Sequence, residues 1–357
     1  MKRALISGIT GQDGAFLTRY LLASGYSVFG LVRRQSQPNY SNLETLGILN
    51  HPGLELVQGD LIDGTSLERI IRNTRPEEVY NLAAQSHVRI SFDEPVHTAM
   101  VNYIGVLNLL EAIRKLPPGT TRMYHAGTSE MFGASAPPQS EQTPFHPQSP
   151  YAIAKLAAYW AVRNYREGYG LNCCTGILYN HESELRGQEF VTRKITRYVA
   201  ELVRVTEQHK DWLAPLELGN LNAGRDWGYA GDYVEAMHLM LQADPPLDDY
   251  VVGTGITHVV REFVEAAFQA AFPDSYMEWH GESTDEVGHL VLSGKPTGIP
   301  VVKVNPKFYR PLEVHALTAD TSKIRSKLGW KPTTTFSELV ARMVRHDISL
   351  RLPKKSM

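Results

Sequence analysis

The sequence predicts an α/β fold built on a doubly wound parallel sheet with a smaller α/β lobe added to it. Three observations carry this. Apolar β runs alternate with amphipathic helical stretches through the first half of the chain. A glycine-rich turn separates the first strand from the first helix, and the alternation stops near residue 180. The elements follow in order. Arg3 to Ile9 reads as a buried strand, Gly8-Ile9-Thr10-Gly11-Gln12-Asp13-Gly14 as the turn, and Ala15 to Ala23 as a helix. Ser27–Val32, Leu54–Val57 and Glu78–Ala84 read as strands two to four, with helices at about 64–74 and 95–115. Met123–Ala126 is the fifth strand, ending at Gly127-Thr128-Ser129-Glu130. Ser149-Pro150 then opens a helix, serine as N-cap and proline at the first helical position, that runs to about Glu167 before Gly168 and Gly170. Asn172–Leu178 is the sixth strand. This order is that of a Rossmann-type domain over 1–180.

Beyond Asn180 the pattern changes to helices at 190–205, 232–242 and 261–271, short strands, and a Gly/Pro-rich stretch from Gly281 to Pro306. Residues 181–357 are therefore expected to form mainly a substrate lobe, with segments near 223–255 returning to the sheet. The tail from Pro353 reads as solvated.

Composition excludes several classes. The chain has 357 residues, 43% hydrophobic and 21% charged, with a net charge of −2, so no basic field exists to hold nucleic acid or an anionic membrane. Two adjacent cysteines, Cys173 and Cys174, face opposite ways on a strand and form no disulfide framework. Met1-Lys2-Arg3 precedes too short an apolar run for a signal peptide core. The expectation is a cytoplasmic protein. No histidine or cysteine spacing suits a metal.

Two sites are expected at the carboxyl ends of the strands. The glycine turn and the following helix amino terminus suit a dinucleotide pyrophosphate, involving Gly8, Thr10, Gly11, Gln12, Asp13 and Gly14. Arg33 and Arg34 end the second strand where NAD binders place an acid, which suits a 2′-phosphate and so NADP. Asp60, Leu61, Leu82, Ala83, Ala84 and Ser86 end the third and fourth strands at the same edge. Tyr151 and Lys155 are i and i+4 on one helix and share a face. A free tyrosine has a pKa of about 10, and a neighbouring ammonium favours its phenolate. Thr128 can hold a substrate hydroxyl toward that base. Glu130, two residues further on, adds a proton-transfer group that alcohol oxidation alone does not need.

These residues, with NLAAQSHV at 81–88, PFHPQSPYAIAKLAAYW at 144–160, NHES at 180–183, RDWGYAGDYVEAM at 225–237, YRPLEV at 309–314 and LGWKP at 328–332, resemble the GDP-mannose 4,6-dehydratases, a branch of the extended short-chain dehydrogenase/reductases. The resemblance runs nearly end to end. It implies oxidation at C4 of a GDP-linked sugar with Tyr151 as base, loss of water across C5 and C6 with Glu130, and reduction at C6 by the same cofactor. It further implies that His97, His181 and Arg186 line the cofactor together with Lys155. Ser86, Asn180, Val191, Lys194, Arg225, Arg310 and Glu313 would hold the sugar nucleotide, and a homodimer or homotetramer is implied. Gln35 to Tyr40, His97 and Glu184 depart from the common family pattern. GDP-D-glycero-D-manno-heptose as substrate stays open as an alternative, as does a non-catalytic NADP-sensing protein.

Overall fold

In the computed structural model, residues 1–208, 213–309, 314 and 316–351 are described. Seven strands form one wholly parallel sheet: β1 (Arg3–Ser7), β2 (Ser27–Val32), β3 (Leu54–Gln58), β4 (Glu78–Asn81), β5 (Arg122–Ala126), β6 (Asn172–Leu178) and, much later in the chain, Tyr250–Val252. The spatial order is Tyr250–Val252, β6, β5, β4, β1, β2, β3. The order reverses between β1 and β4, which places a ligand crevice outside their carboxyl ends. Strands β1 and β4 stop at Ser7 and Asn81, shorter than their apolar runs, because the backbone turns away there to line that crevice.

The two faces of the sheet carry separate cores. Ala4, Ile6, Tyr80, Tyr124 and Cys174 face one layer, and Leu5, Val79, Met123 and Cys173 face the other. Both cysteines are buried and unpaired with each other.

The helix Pro150–Tyr169 begins as its sequence dictates: Ser149 Oγ accepts from Ala152 N–H at 3.1 Å and Pro150 occupies the first turn. It continues through Gly168 and stops only at Gly170, whose φ of 67° closes the last turn. The segment expected as one helix over 95–115 is three pieces: Pro95–Ala99, a π-helical turn over Met100–Ile104, and Gly105–Arg114. By length and composition Pro95–Arg114 could cross a membrane. Its apolar residues are explained instead by packing, since Val106, Leu109, Leu110 and Ile113 belong to the core beneath Ile70, Ile71 and Val162.

The remaining strands are β7 (Asn180–Glu182), β8 (Leu216–Leu218), β9 (Gly224–Tyr229), β10 (the Tyr250–Val252 strand), β11 (Thr257–Val259), β12 (Ser275–His280), β13 (Val287–Leu292) and β14 (Lys295–Val304). Strands β7, β9 and β11 make a three-stranded sheet, and β12, β13, β14 and β8 a four-stranded one. The Gly/Pro-rich stretch from Gly281 is thus largely a hairpin. The chain also carries the helix Ala230–Gln242, which packs over the parallel sheet.

The helices Val191–Glu207 and Phe336–Arg351 are locked by a buried pair. Arg193 Nη2 donates to Asp347 Oδ1 at 2.6 Å and Thr196 Oγ1 donates to Asp347 Oδ2 at 2.7 Å. Removing one partner strands a buried charge. Asp347→Ala should lower stability by about 3–5 kcal/mol in chemical denaturation, whereas a surface pair such as Arg89–Asp93 should contribute about 1 kcal/mol or less.

Candidate active site

Two cavities open at the carboxyl ends of the parallel strands. One, about 360 Å³, is walled by the glycine turn, Leu31 to Arg33, Asp60, Leu61 and Leu82 to Ala84. The other, about 680 Å³, is walled by Thr128, Glu130, Tyr151, Lys155, Asn180 to Glu182, the start of the helix Val191–Glu207 and residues 217–220. They share Asp13, Leu82, Ala84, Ser86 and Arg186, so they form one continuous groove.

Gly8 and Gly14 of the turn have no room for a side chain. A Cβ on Gly8, where φ is 73°, would lie 2.7 Å from Ala83 N. On Gly14 it would lie 2.3 Å from Gly8 O. Gly11 caps the helix Gln12–Ala23 without a side chain, leaving its amino-terminal N–H groups for an anion. The groove therefore fits a dinucleotide, with Arg33 at the end where an adenine ribose would sit.

In the larger cavity, Thr128, Glu130, Tyr151 and Lys155 come together, all at least nine-tenths buried. Thr128 caps the short 3₁₀ turn Ser129–Met131 by accepting from Glu130 N–H at 3.2 Å, which fixes Glu130 beside it. Lys155 Nζ donates to the Ala126 carbonyl at 2.8 Å, tying the helix to the end of β5. Burial pushes the Tyr151 hydroxyl up to about 12; a Thr128 hydrogen bond opposes this, and the Glu130 charge adds to it. Burial pulls the Lys155 ammonium down to about 8.

The resemblance placed His181 at the cofactor, and the structure shows what holds it. Its Nδ1 donates to the Tyr179 carbonyl at 2.7 Å and its Nε2 meets Asp13 Oδ2 at 2.7 Å. Gln12 donates to both Asp13 Oδ1 and the His181 carbonyl, and Ser183 Oγ donates to Gln12.

Among the expected residues, Asn180, Val191, Lys194 and Arg225 also line the larger cavity. Arg225 is largely committed to structure, donating from Nη1 to the Gly224 and Val314 carbonyls at 2.8 Å. Arg34 and His97 line neither cavity. Arg34 follows Arg33 past the end of β2 and is exposed, as is His97 on Pro95–Ala99. Arg310 and Glu313 lie outside the described residues. Reading the residues singly passed over Glu217, Asn220, Trp227, Lys307 and Phe308 as cavity wall. Trp227 sits in the motif RDWGYAGDYVEAM, and Asn220 ends the run Leu218-Gly219-Asn220.

Comparison with known proteins decides the family. The model for "GDP-mannose 4,6 dehydratase" matches residues 5–343. The chain belongs to the GDP-mannose 4,6-dehydratase family. It is 50% identical to the GDP-mannose 4,6 dehydratase of Drosophila melanogaster, covering 98% of this chain and 87% of that one. With the Sinorhizobium fredii GDP-mannose 4,6-dehydratase it shares 49% identity over 98% and 97% of the two chains. The human relative is 48% identical over 97% and 91%. Among solved structures, Thermus thermophilus UDP-glucose 4-epimerase, in complex with NAD, superposes with a TM-score of 0.76 at 26% identity over 97% and 98% of the chains. The dTDP-glucose 4,6-dehydratase DesIV of Streptomyces venezuelae, at 24% identity and a TM-score of 0.78 over 98% of each chain, shares the fold. Glu130 beside Thr128 is the chemical feature consistent with the dehydratase family.

Proposed function

We propose that the protein converts GDP-D-mannose to GDP-4-keto-6-deoxy-D-mannose as a hydro-lyase. The observation that carries this is a buried carboxylate, Glu130, set beside Thr128 and the Tyr151–Lys155 pair in a chain of this family. Tyr151 takes the proton of the sugar 4-hydroxyl while Thr128 orients that hydroxyl. Oxidation at C4 makes the C5 proton acidic. Glu130 removes it and then protonates the departing 6-hydroxyl, and later C5 is reprotonated from the same side chain or water. A nicotinamide held in the adjoining groove by the glycine turn would supply the hydride acceptor for C4 and the donor for C6, with no net consumption. Lys155, charged below about pH 8, favours the Tyr151 phenolate across its shared helix face.

Lys194 and the amino terminus of the helix Val191–Glu207, which has no side-chain cap, lie together in the cavity wall. A cation and free N–H groups there suit the diphosphate of the GDP moiety. Incubation of the purified protein with GDP-mannose should yield the 4-keto-6-deoxy product, detected by mass spectrometry as loss of one water. Conversion of GDP-D-glycero-D-manno-heptose alone would shift the substrate to the longer sugar, and conversion of neither would refute the dehydratase reading.

NADP is proposed as the cofactor in preference to NAD. Arg33 stands in the wall of the smaller cavity and no acid ends β2. Arg33→Ala should reduce NADPH affinity about tenfold, or ~1.4 kcal/mol, and leave NADH affinity nearly unchanged in fluorescence titration. Equal losses for both would assign NAD.

A further inference from the structure

Asp13 sits at a helix start that suits a carboxylate and an anionic ligand alike. It lies in the first turn of the helix Gln12–Ala23, in the wall shared by both cavities, where an anionic dinucleotide is expected to lie. An acid there repels phosphate unless something cancels its charge. His181, reached from the other side of the groove on β7, touches it at 2.7 Å. The proton arrangement on His181 is fixed by its neighbours. Nδ1 faces the Tyr179 carbonyl and must carry hydrogen, while Nε2 faces a carboxylate and gains by carrying one too. An imidazole between two acceptors is held as the imidazolium. Burial opposes this, but the Asp13 charge and both hydrogen bonds raise the His181 pKa, and His181 in turn holds Asp13 low against its own burial.

The same carboxylate faces the groups that perform the chemistry, since Asp13, His181, Tyr151 and Lys155 line one cavity. Beside the larger effect of burial, its charge raises the pKa of Tyr151 and opposes the lowering of Lys155, so it disfavours the phenolate and favours the ammonium. Among the described residues, the other groups facing this set are as follows. Arg186 faces Asp13, His181 and Tyr151 and is itself paired with Glu182 at 3.1 Å. Glu130 and Thr128 face Tyr151. Buried neutral His125 and the Ala126 carbonyl adjoin Lys155. Tyr124 and Tyr233 lie beneath, the latter stacked on the His181 ring at 4.6 Å between centroids.

We propose that Asp13 and His181 form a charge-balancing pair that positions the proton chemistry of Tyr151 and Lys155, the carboxylate standing behind the base and the imidazolium cancelling it. It rests on the assignment of Tyr151 as the base. Its direct consequence is that removing His181 is worse than removing both partners, because a lone Asp13 faces both the phenolate and the dinucleotide.

The test compares the full-length protein with His181→Gln, Asp13→Asn and the double variant. Two readouts are taken: the pH dependence of kcat/KM for GDP-mannose, and NADPH affinity by fluorescence titration. His181→Gln should move the acid limb of the profile upward by about one pH unit. It should also weaken NADPH about tenfold, that is ~1.4 kcal/mol. Asp13→Asn should move the limb downward. The double variant should lose the upward shift and regain most of the affinity. An unshifted limb in all four proteins, or a double variant weaker than either single one, overturns the proposal. If His181→Gln does not melt cooperatively, the direction of the Asp13→Asn shift alone decides it. If the wild-type protein turns over no GDP-mannose, the functional assignment fails while the NADPH series still decides the pairing.

Discussion

Glu130→Gln should abolish product formation, by about 10³-fold or more, while GDP-mannose still binds. The amide keeps the size of the side chain and its place beside Thr128 but can neither take the C5 proton nor deliver one to the leaving hydroxyl. General acid–base groups contribute about 10²–10⁴-fold each, and Glu130 is asked to serve twice in one turnover. Two measurements isolate this role. Calorimetry should give an unchanged affinity for GDP-mannose, and incubation in D2O should show no deuterium entering at C5. The wild-type product should carry one deuterium there. A variant that still exchanges the C5 proton would move the base elsewhere in the cavity, with Tyr151 the next group in line.

The second large effect is expected at Tyr151. Tyr151→Phe should lower kcat by about 10³-fold with a small change in KM, since the hydroxyl acts on the 4-hydroxyl proton and fills little of the binding surface. The pH profile carries the sign of the mechanism. Burial depresses Lys155 to about 8, so its charge is present below that pH and lost above it. Activity that depends on the charge must therefore fall on the alkaline side as pH passes through about 8. Lys155→Arg keeps the charge at all accessible pH and should move that alkaline limb upward, at reduced rate because the fork cannot copy the single bond to the Ala126 carbonyl. An alkaline limb unmoved in Lys155→Arg would detach it from Lys155.

The elements set by local signals were legible in the sequence. Ser149-Pro150 start a helix by chemistry confined to three residues, and Gly170 ends it by conformation alone. Strand-helix alternation up to Leu178 needed no tertiary information, and the i, i+4 spacing put Tyr151 and Lys155 on one face. What failed did so for lack of range. The stretch Gly281–Pro306 was legible only as Gly/Pro-rich, and Pro296 and Pro300 are residues that a strand seldom holds. In the fold they sit opposite Val291 and His289, where the ladder between β13 and β14 is irregular and a missing N–H is tolerated. The long segment 95–115 hid its π turn, since periodicity barely registers one extra residue. At the site, the resemblance placed His181 but could not supply Asp13 as its partner, 168 residues away. Of Arg33 and Arg34, read as a pair, Arg33 stands in the cavity wall.

The return of β10 to the parallel sheet constrains how this protein can be taken apart. The chain leaves the parallel sheet after β6, builds β7 to β9, and comes back with the helix Ala230–Gln242 and the edge strand Tyr250–Val252 before leaving again. A fragment ending at residue 180 would bare the flank of β6, including the backbone that β10 now satisfies, and uncover Tyr80 and Tyr124. Such a fragment is an aggregation hazard and no free-standing module. Exchange of sugar preference between relatives is better attempted as an insertion-style graft, replacing residues on either side of 224–252 and leaving that returning loop of chain untouched.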